Sequence, residues 1–379
     1  LCHWRRDRRQ RGAEARRLEE RNAQLGALMN VRLAERLAFV TGDVIADSGG
    51  PFSESVIVNV GARDGVVEGS AAVDGRGLIG RVVGVGDDAA VLTELAPQAV
   101  VSADTLVEHE DFDFQYTTWE DVGHKAAAVN LSDLAAMGAE PRGLLLSVAL
   151  RGTDMFREFV ELIDGFVELG RKYDTPLVGG DISRIDGPVV VSVTALGAIA
   201  SGRAMRRYFG RVGDVLMVSG TFGGSAAGMQ LLQQGRRRPP ALIKRHLRPQ
   251  PQLRLAAAVA GLEGVHACAD ASDGLARDIA LLPRPGLGVR IDVNKIPIAQ
   301  EVRAFAQEVG RPAWELALVG GEDFELVFAV DPAVVDDLRA IGSEHRVRMT
   351  AVGEIVEEPG LDLLGAPEGY NVRGYDHFR

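Results

Sequence analysis

The stretch GVGDDAAVL, residues 84–92, marks the point where the chain changes from short β-like runs to an α/β pattern. It places two carboxylates, Asp87 and Asp88, side by side within an apolar run. Adjacent like charges repel each other, and an unpaired buried carboxylate costs free energy. The stretch therefore predicts that a positive partner or water reaches both side chains.

Strand-like and helix-like segments alternate from Gly84 onward. This alternation predicts an α/β (α+β) fold in two domains, an N-terminal one at 84–203 and a C-terminal one at 204–379. The segments that carry the pattern are the strand-like 189–200 and 213–220 and the helix-like 123–139 and 154–174.

The first 83 residues differ in composition from the rest. Residues 1–38 are rich in Arg, Glu and Leu and predict a polar helix, either coiled-coil-like or simply solvated. Residues 39–83 contain short β-like runs separated by Gly and Asp-Gly turns, which predict a small β element.

The charge of the chain favours cation binding over nucleic-acid binding. The formal net charge is −11, from 42 Lys and Arg against 53 Asp and Glu residues, whereas general nucleic-acid binders carry basic surfaces. No run of 18 apolar residues occurs, so the sequence predicts no membrane span. Cys2 and Cys268 are too few for a disulfide framework, and they predict a reducing, cytoplasmic setting.

Carboxylates recur through the α/β part of the chain, mostly after an apolar run and beside Gly, Ser or Ala. Small neighbours let backbone and ligand approach closely, and ligands in α/β folds usually bind at strand ends. Asp133 differs because it lies in a helix-like segment, three residues after Asn130, so that both face one side. Several oxygen ligands without a His and Cys set favour a hard cation, Mg²⁺ or Ca²⁺. The carboxylates are Asp87, Asp88, Asp104, Asp133, Asp181, Asp270, Asp273, Glu322 and Asp323.

Two other interpretations compete with the cation site. Each Asp alone could be a turn residue or a helix cap, an explanation that weakens when five such segments occur together. GVGDDA also matches a Gly-x-Gly-x-x-Ala dinucleotide pattern, but its two Asp would repel a pyrophosphate. Because lysine is scarce, phosphate-binding cations would mostly be Arg, with Arg203, Arg206 and Arg207 as candidates.

Nine motifs occur in the order found in thiamine-monophosphate kinases, which residues 84–379 resemble. The motifs are GVGDDAAVL, SADTLVE, NLSDLAAMGAEP, LVGGDIS, SGRAMRR, SGTFGGSAAG, DASDGLARD, GGEDFELVF and GYDHF. The resemblance implies the two-domain fold of aminoimidazole ribonucleotide synthetase, in which the N-terminal domains of two copies pair in a homodimer. It also implies ATP-dependent phosphorylation of thiamine monophosphate to thiamine diphosphate, with several Mg²⁺ ions.

The same resemblance assigns roles to residues of this chain, motif by motif. The implied metal ligands are Asp87, Asp88, Ser102, Asp104, Asp133, Asp181, Asp270 and Asp273. The implied ATP contacts are Gly180, Asp181, Arg207 and Ser272. The implied contacts on the thiamine side are Glu322, Tyr375 and the position of Asp111. No covalent nucleophile is assigned, since transfer between two anions needs positioning and charge neutralisation.

Two departures from the family pattern bear on the substrate. The family reads Asp-Thr-Leu-Val-Glu-Gly-x-His-Phe where this chain reads DTLVEHEDF, so Asp111 stands in place of the substrate-contacting His. The chain also reads Ser102-Ala103-Asp104 where the family has Ser-Thr-Asp. The resemblance therefore constrains the reaction class more tightly than the substrate, and an ATP-dependent synthetase of the same superfamily is the alternative enzyme.

Residues 25–83 instead resemble the rod-shape protein MreC, as a truncated copy of its coiled coil and β region. The β part of this resemblance rests on DVIADSGGPFSESVIVNVGARDGVVEGSAAVDGRGLIGRVV. We expect no independent function from residues 1–83. A non-enzymatic cell-shape scaffold fragment, fused to a kinase-like half, is the remaining alternative.

Overall fold

A computed structural model describes residues 98–154, 156–200, 203–367 and 370, together with the backbone of five short strands between residues 44 and 92. The chain divides into two units, residues 1–85 and 86–379. The predicted helix at 1–38 lies outside the described residues. In the first unit, two antiparallel hairpins pair β1 (Val44–Asp47) with β2 (Val56–Val58) and β3 (Ala71–Asp74) with β4 (Gly77–Arg81).

The second unit begins with a five-stranded sheet. Its strands are β5 (Ala90–Leu92), β6 (Ala99–Val107), β7 (Glu140–Arg151), β8 (Leu177–Ile185) and β9 (Val190–Ala198). Their order across the sheet is β5-β6-β9-β7-β8, with β7 and β8 parallel and the other neighbours antiparallel. Burial along β9 is greater at every second residue, as expected for a strand with one face packed on helices.

Helix α1 (Trp119–Ala136) packs on this sheet, and α2 (Phe156–Lys172) packs against α1. The Thr118 side chain caps α1 by accepting a hydrogen bond from its first turn. Most residues of α1 are buried, which explains why its sequence is apolar nearly all round. The two helices approach closely, because a Cβ on Gly123 would lie 1.9 Å from the carbonyl oxygen of Leu162.

The rest of the second unit is a six-stranded sheet with its helices. The strands are β10 (Val215–Ser219), β11 (Val265–Asp270), β12 (Gly288–Asp292), β13 (Leu326–Val330), β14 (Met349–Val356) and β15 (Gly360–Leu364). Their order is β11-β13-β10-β14-β12-β15, with β12 and β15 parallel and the other neighbours antiparallel. The helices are α3 (Gly224–Gln233), α4 (Pro240–Leu247), α5 (Leu253–Val259), α6 (Leu275–Ile279), α7 (Gln300–Glu308), α8 (Ala313–Val319) and α9 (Val335–Glu344), with a 3₁₀ turn at Pro332–Val334 before α9.

Helix α1 joins the two sheets, because it contacts β6 and β9 of the first and β11, α4 and α5 beside the second. Some of its polar residues, among them Lys125 and Ser132, contact residues of the second half. The predicted boundary at 203/204 falls in the connection between β9 and β10. The observed mixture of sheets and helices confirms the predicted α/β (α+β) class. Among the described residues, no helix has both the length and the apolar character needed to cross a membrane.

Candidate active site

A cavity of about 670 Å³ lies in the second unit and is lined by residues of both sheet regions. Its walls come from β6, α1, the end of β11 and the loop before β13. The predicted site residues that line it are Ser102, Asp104, Asp111, Asp133, Arg207, Asp270, Ser272, Asp273 and Glu322. The fold thus brings together carboxylates that are up to 218 positions apart in the sequence, from Asp104 to Glu322.

One wall is the contact between β6 and α1. Asn130 accepts a hydrogen bond through Oδ1 from the backbone N–H of Asp104, at 3.1 Å. Ser102 donates a hydrogen bond from Oγ to Asp133 Oδ2. Asn130 and Asp133 therefore both face β6, as their spacing on a helix requires. Asp104 lies within β6 rather than at its end, because the strand continues to Val107, and the expectation of a strand-end position for it was wrong.

A second part of the lining is the end of β11. Asp270 is its last residue, and its Oδ2 accepts a hydrogen bond from Ser132 Oγ of α1 at 2.6 Å. Its Oδ1 is buried and has no hydrogen-bond partner among the described residues. The following loop is held by Asp278, whose Oδ2 accepts from the Asp273 backbone N–H at 3.0 Å. Asp270 consequently offers a free oxygen that is shielded from water.

Three buried carboxylates in or beside the cavity, Asp104, Asp133 and Asp278, resist ionisation. Burial, followed by the negative charges of Asp270 and other nearby carboxylates, raises the pKa of Asp104 to about 6. Burial and Asp270 also raise the pKa of Asp133, although its hydrogen bond from Ser102 opposes the shift. The pKa of Asp278 rises to about 8, again chiefly through burial and then through Asp270. A nearby cation would remove this penalty by neutralising the charges.

The residues present fit a hard cation such as Mg²⁺. Their donor atoms are carboxylate and hydroxyl oxygens, and the shielded Oδ1 of Asp270 is available for coordination. Within the described part of the chain, no three His, Cys, Asp or Glu side chains are close enough together to form a ready-made metal site. Mg²⁺ commonly binds one or two protein carboxylates and fills its other positions with water and substrate phosphate.

The cavity lining also includes an ion-paired carboxylate, Glu322. Glu322 forms a salt bridge with Lys125 Nζ through Oε1, and its Oε2 lies 3.2 Å from Nδ1 of His246. Burial alone would raise the pKa of Glu322, but Lys125 and then His246 outweigh burial and lower it to about 2. Asp111 and Tyr116 also line the cavity, and the charge of Asp111 contributes to the raised pKa of Asp104. The cavity therefore also has a carboxylate that is ionised at neutral pH.

Some predicted site residues lie elsewhere. Asp181 is exposed on β8 and accepts a hydrogen bond from Ser183 Oγ at 3.0 Å, and neither it nor Gly180 lines the cavity. Asp181 is inside β8 rather than after a strand, so the strand-end expectation was wrong here as well. A Cβ on Gly180 would lie 1.8 Å from the Leu146 carbonyl oxygen, so strand packing by itself accounts for this glycine. Outside the described residues lie Asp87, Asp88 and Tyr375.

Comparison with known proteins identifies the family. The model of AIR synthase related protein, N-terminal domain, matches residues 86–199, and that of the C-terminal domain matches residues 211–365. The thiamine-monophosphate kinase of Rhodopirellula baltica is 35% identical over 288 residues, covering 74% of this chain and 85% of that protein. The one from Escherichia coli is 36% identical over 307 residues, covering 78% and 92%. The chain belongs to the thiamine-monophosphate kinase family.

The fold of a solved member of the thiamine-monophosphate kinase family agrees with this assignment. The structure described as AaThiL complexed with AMPPCP and TMP is 30% identical, has a TM-score of 0.69, and covers 78% of this chain and 92% of its own. The predicted two-domain fold of the synthetase type is thereby confirmed. None of these matches supports the resemblance of residues 25–83 to MreC.

Sequence reasoning missed several residues of this kinase-family site. Lys125 and His246 flank Glu322, and Ser132 holds Asp270. His246 stands alone in the sequence, with no neighbouring residue that indicates a partner. Ser132 could have been found, since it lies next to Asp133 on an otherwise apolar helix. Among the three arginines proposed for phosphate, Arg207 lines the cavity.

Proposed function

We propose that this protein transfers the γ-phosphoryl group of ATP to thiamine monophosphate, giving thiamine diphosphate and ADP, with Mg²⁺ ions at the carboxylate cluster. The observation that carries the proposal is the gathering of Asp104, Asp133 and Asp270 on one cavity, where burial and mutual repulsion raise their pKa values. Membership of the family supplies the substrates. A cluster that binds cations suits a reaction in which two polyanions must meet.

In this proposal the carboxylate cluster binds Mg²⁺ and ATP, whereas the residues around Glu322 bind the acceptor. The cluster end holds Mg²⁺ through Asp104, Asp133, Asp270, Asp273 and Ser102, with Asp87 and Asp88 as further ligands. When bound, Mg²⁺ supplies neutralisation of phosphate charge. Arg207 and Ser272 contact ATP, and Arg207 adds positive charge near its phosphates.

The acceptor lies toward Glu322 in this proposal. Asp111 and Tyr375 complete its surroundings, and the ionised carboxylate of Glu322 faces the cationic thiazolium part of thiamine. The phosphate of thiamine monophosphate then points to the cluster, and the reacting oxygens align without a covalent enzyme intermediate. The rate acceleration in this scheme comes from holding the two phosphate groups in line, and no protein nucleophile takes part.

A homodimer and a cytoplasmic location complete the proposal. Strand β8 is an edge of its sheet and is exposed along nearly its whole length, with Val178 at 55% and Ile182 at 58% exposure. An exposed apolar edge strand can pair with a strand of another chain. We assign a second copy of this chain as that partner. Gly180 and Asp181 do not line the cavity of their own chain. In this proposal they contact ATP and metal in the cavity of the second copy.

The decisive experiment is a coupled assay of ADP release with the full chain, ATP and Mg²⁺. We expect release with thiamine monophosphate and none with thiamine. ADP release with an amidine or carboxylic acid acceptor instead would favour the synthetase alternative. Absence of ATP turnover, together with membrane or filament association, would favour the scaffold.

The cluster is tested by Asp104→Asn in the same assay. We expect kcat to fall by about 100-fold or more, since one charge-neutralising ligand is lost, while circular dichroism stays unchanged. Asp336→Asn is the control, because Asp336 is 92% exposed on α9 and does not line the cavity. A near-wild-type rate in Asp104→Asn would remove Asp104 from the site.

A further inference from the structure

Lys125 is a buried cation within the apolar helix α1. It is only 2% exposed, and it is not one of the residues that line the cavity. Burying an ammonium group is costly unless the group is paired and hydrogen-bonded. The contacts that compensate for this cost therefore indicate what the side chain does.

The ammonium of Lys125 joins two residues at the acceptor end of the cavity. Nζ donates a hydrogen bond to the backbone carbonyl oxygen of Asp111 at 2.8 Å and forms the salt bridge with Glu322 Oε1. Asp111 lies in the loop after β6, whereas Glu322 lies in the loop before β13. The Lys125 side chain thus links the loop after β6 to the loop before β13.

Glu322 needs external support to keep its position. Its backbone φ is +64°, a left-handed conformation that costs a non-glycine residue about 1–2 kcal/mol. Its backbone N–H donates to the Ser272 carbonyl oxygen at 2.7 Å, and His246 lies on the side of the carboxylate opposite the Lys125 contact. The carboxylate remains 29% exposed, so it is held in place but still open to the cavity.

The neighbouring Ser225 and His246 do not form a nucleophile pair. Ser225 Oγ lies 3.1 Å from His246 Nδ1, the same nitrogen that contacts Glu322 Oε2. A relay from carboxylate through imidazole to hydroxyl needs the two partners on different ring nitrogens. The arrangement therefore serves to fix the carboxylate and not to activate the serine.

We infer that Lys125 is a positioning residue for the acceptor substrate, acting through Glu322 and the Asp111 loop. This inference rests on the proposed function. The salt bridge and the hydrogen bond hold the carboxylate of Glu322 toward the cavity, where it meets the cationic thiazolium ring of the acceptor. Lys125 itself touches no substrate, so its loss should affect acceptor binding more than the binding of ATP.

The test is a double-mutant cycle with Lys125→Met, Glu322→Gln and the combined variant, each assayed for ADP release against thiamine monophosphate and against ATP. We expect Lys125→Met to raise the KM for thiamine monophosphate by about tenfold, with a smaller change in kcat and in the KM for ATP. In the Glu322→Gln background, the same change should have an effect of less than about threefold, because the charge it positions is gone. Lys295→Met is the control, since Lys295 is 63% exposed and should leave the kinetics unchanged.

Two results would overturn the inference, and only the second would also overturn the proposed function. If Lys125→Met has the same effect in both backgrounds while the wild type is active, Lys125 acts only through packing. If the wild type releases no ADP with thiamine monophosphate, the proposed function fails and this role fails with it. Should Lys125→Met fold poorly, Lys125→Gln keeps a donor for the Asp111 carbonyl without the charge. It should likewise raise the KM for thiamine monophosphate only where Glu322 is intact.

Discussion

At the scale of single residues, His109 occupies a backbone conformation that favours glycine. Its φ is +76°, and the family pattern has Gly at this position. A side chain in the left-handed region costs about 1–2 kcal/mol, whereas glycine adds about 0.5–1 kcal/mol of unfolded-state entropy. We therefore expect His109→Gly to raise the free energy of unfolding by about 0.5 kcal/mol, measured by urea denaturation.

A matched control separates relief of strain from a general effect of glycine. Arg303 is exposed on α7 with ordinary helical geometry. Arg303→Gly should lower the free energy of unfolding by about 1 kcal/mol, because glycine is a poor helix former. Equal losses in the two variants would show that His109 carries no strain.

Asp111 is the residue where this chain departs from the family at the acceptor end. Its Oδ2 accepts a hydrogen bond from the Val107 backbone N–H at 2.7 Å, so the carboxylate is engaged with its own loop. Asp111→His restores the family residue, and we expect an equal or lower KM for thiamine monophosphate with kcat retained. Steady-state kinetics would check this, with Asp113→His in the same loop as a variant that brings no improvement. Complete loss of activity in Asp111→His would mean that this end is built for another acceptor.

At the scale of secondary-structure elements, Glu108 ties three strands together. It follows β6, accepts a hydrogen bond from the Val189 backbone N–H just before β9, and pairs with Arg151 at the end of β7. Burial would raise the pKa of Glu108, but the Val189 N–H and Arg151 together lower it. A carboxylate with a lowered pKa in the folded state stabilises the protein above its unfolded pKa.

The contribution of Glu108 to the free energy of unfolding should therefore depend on pH. Glu108→Gln should lower the free energy of unfolding by about 1–2 kcal/mol at pH 7, because a buried charged hydrogen bond is weakened. The difference between wild type and variant should shrink as the pH falls below the unfolded value of 4.5 and vanish below the folded pKa. Urea titrations at several pH values would measure this difference in the free energy of unfolding.

Glu140→Gln is the control, because the Glu140–Arg142 pair is exposed. A difference for Glu108→Gln that does not change with pH would exclude the charge as its cause.

Elements were easier to predict than the positions of residues within them. The apolar periodicity at 154–174 gave helix α2, and the spacing of Asn130 and Asp133 gave their common face on α1. Asp104 and Asp181 were expected after strands because a polar residue follows an apolar run. In the structure β6 and β8 continue through them, since the residues that follow still pair with neighbouring strands.

At the scale of the whole molecule, the site depends on contacts that local sequence does not contain. Glu322 meets Lys125 and His246 only because α1 and α4 converge behind the loop before β13. Lys125 looks in the sequence like a charged residue in a helix, and its burial becomes visible only once the two halves pack together. The motifs could therefore predict the cluster of carboxylates, whereas the residues that hold it in position required the fold.

A cation bound in the cavity should stabilise the whole molecule, because its ligands come from both halves of the second unit. Asp104 and Asp133 lie on β6 and α1, whereas Asp270 and Asp273 belong to β11 and the loop after it. Binding to the folded state alone stabilises by about 2.7 kcal/mol at a free concentration 100 times Kd. We expect Mg²⁺ to raise the Tm of the wild type in a thermal melt, and a chelator to reverse the rise. Asp133→Asn should reduce the rise, because it removes a charge from the cluster, whereas the exposed Asp336→Asn should keep it. An equal rise in Asp133→Asn and wild type would place the cation outside this cluster.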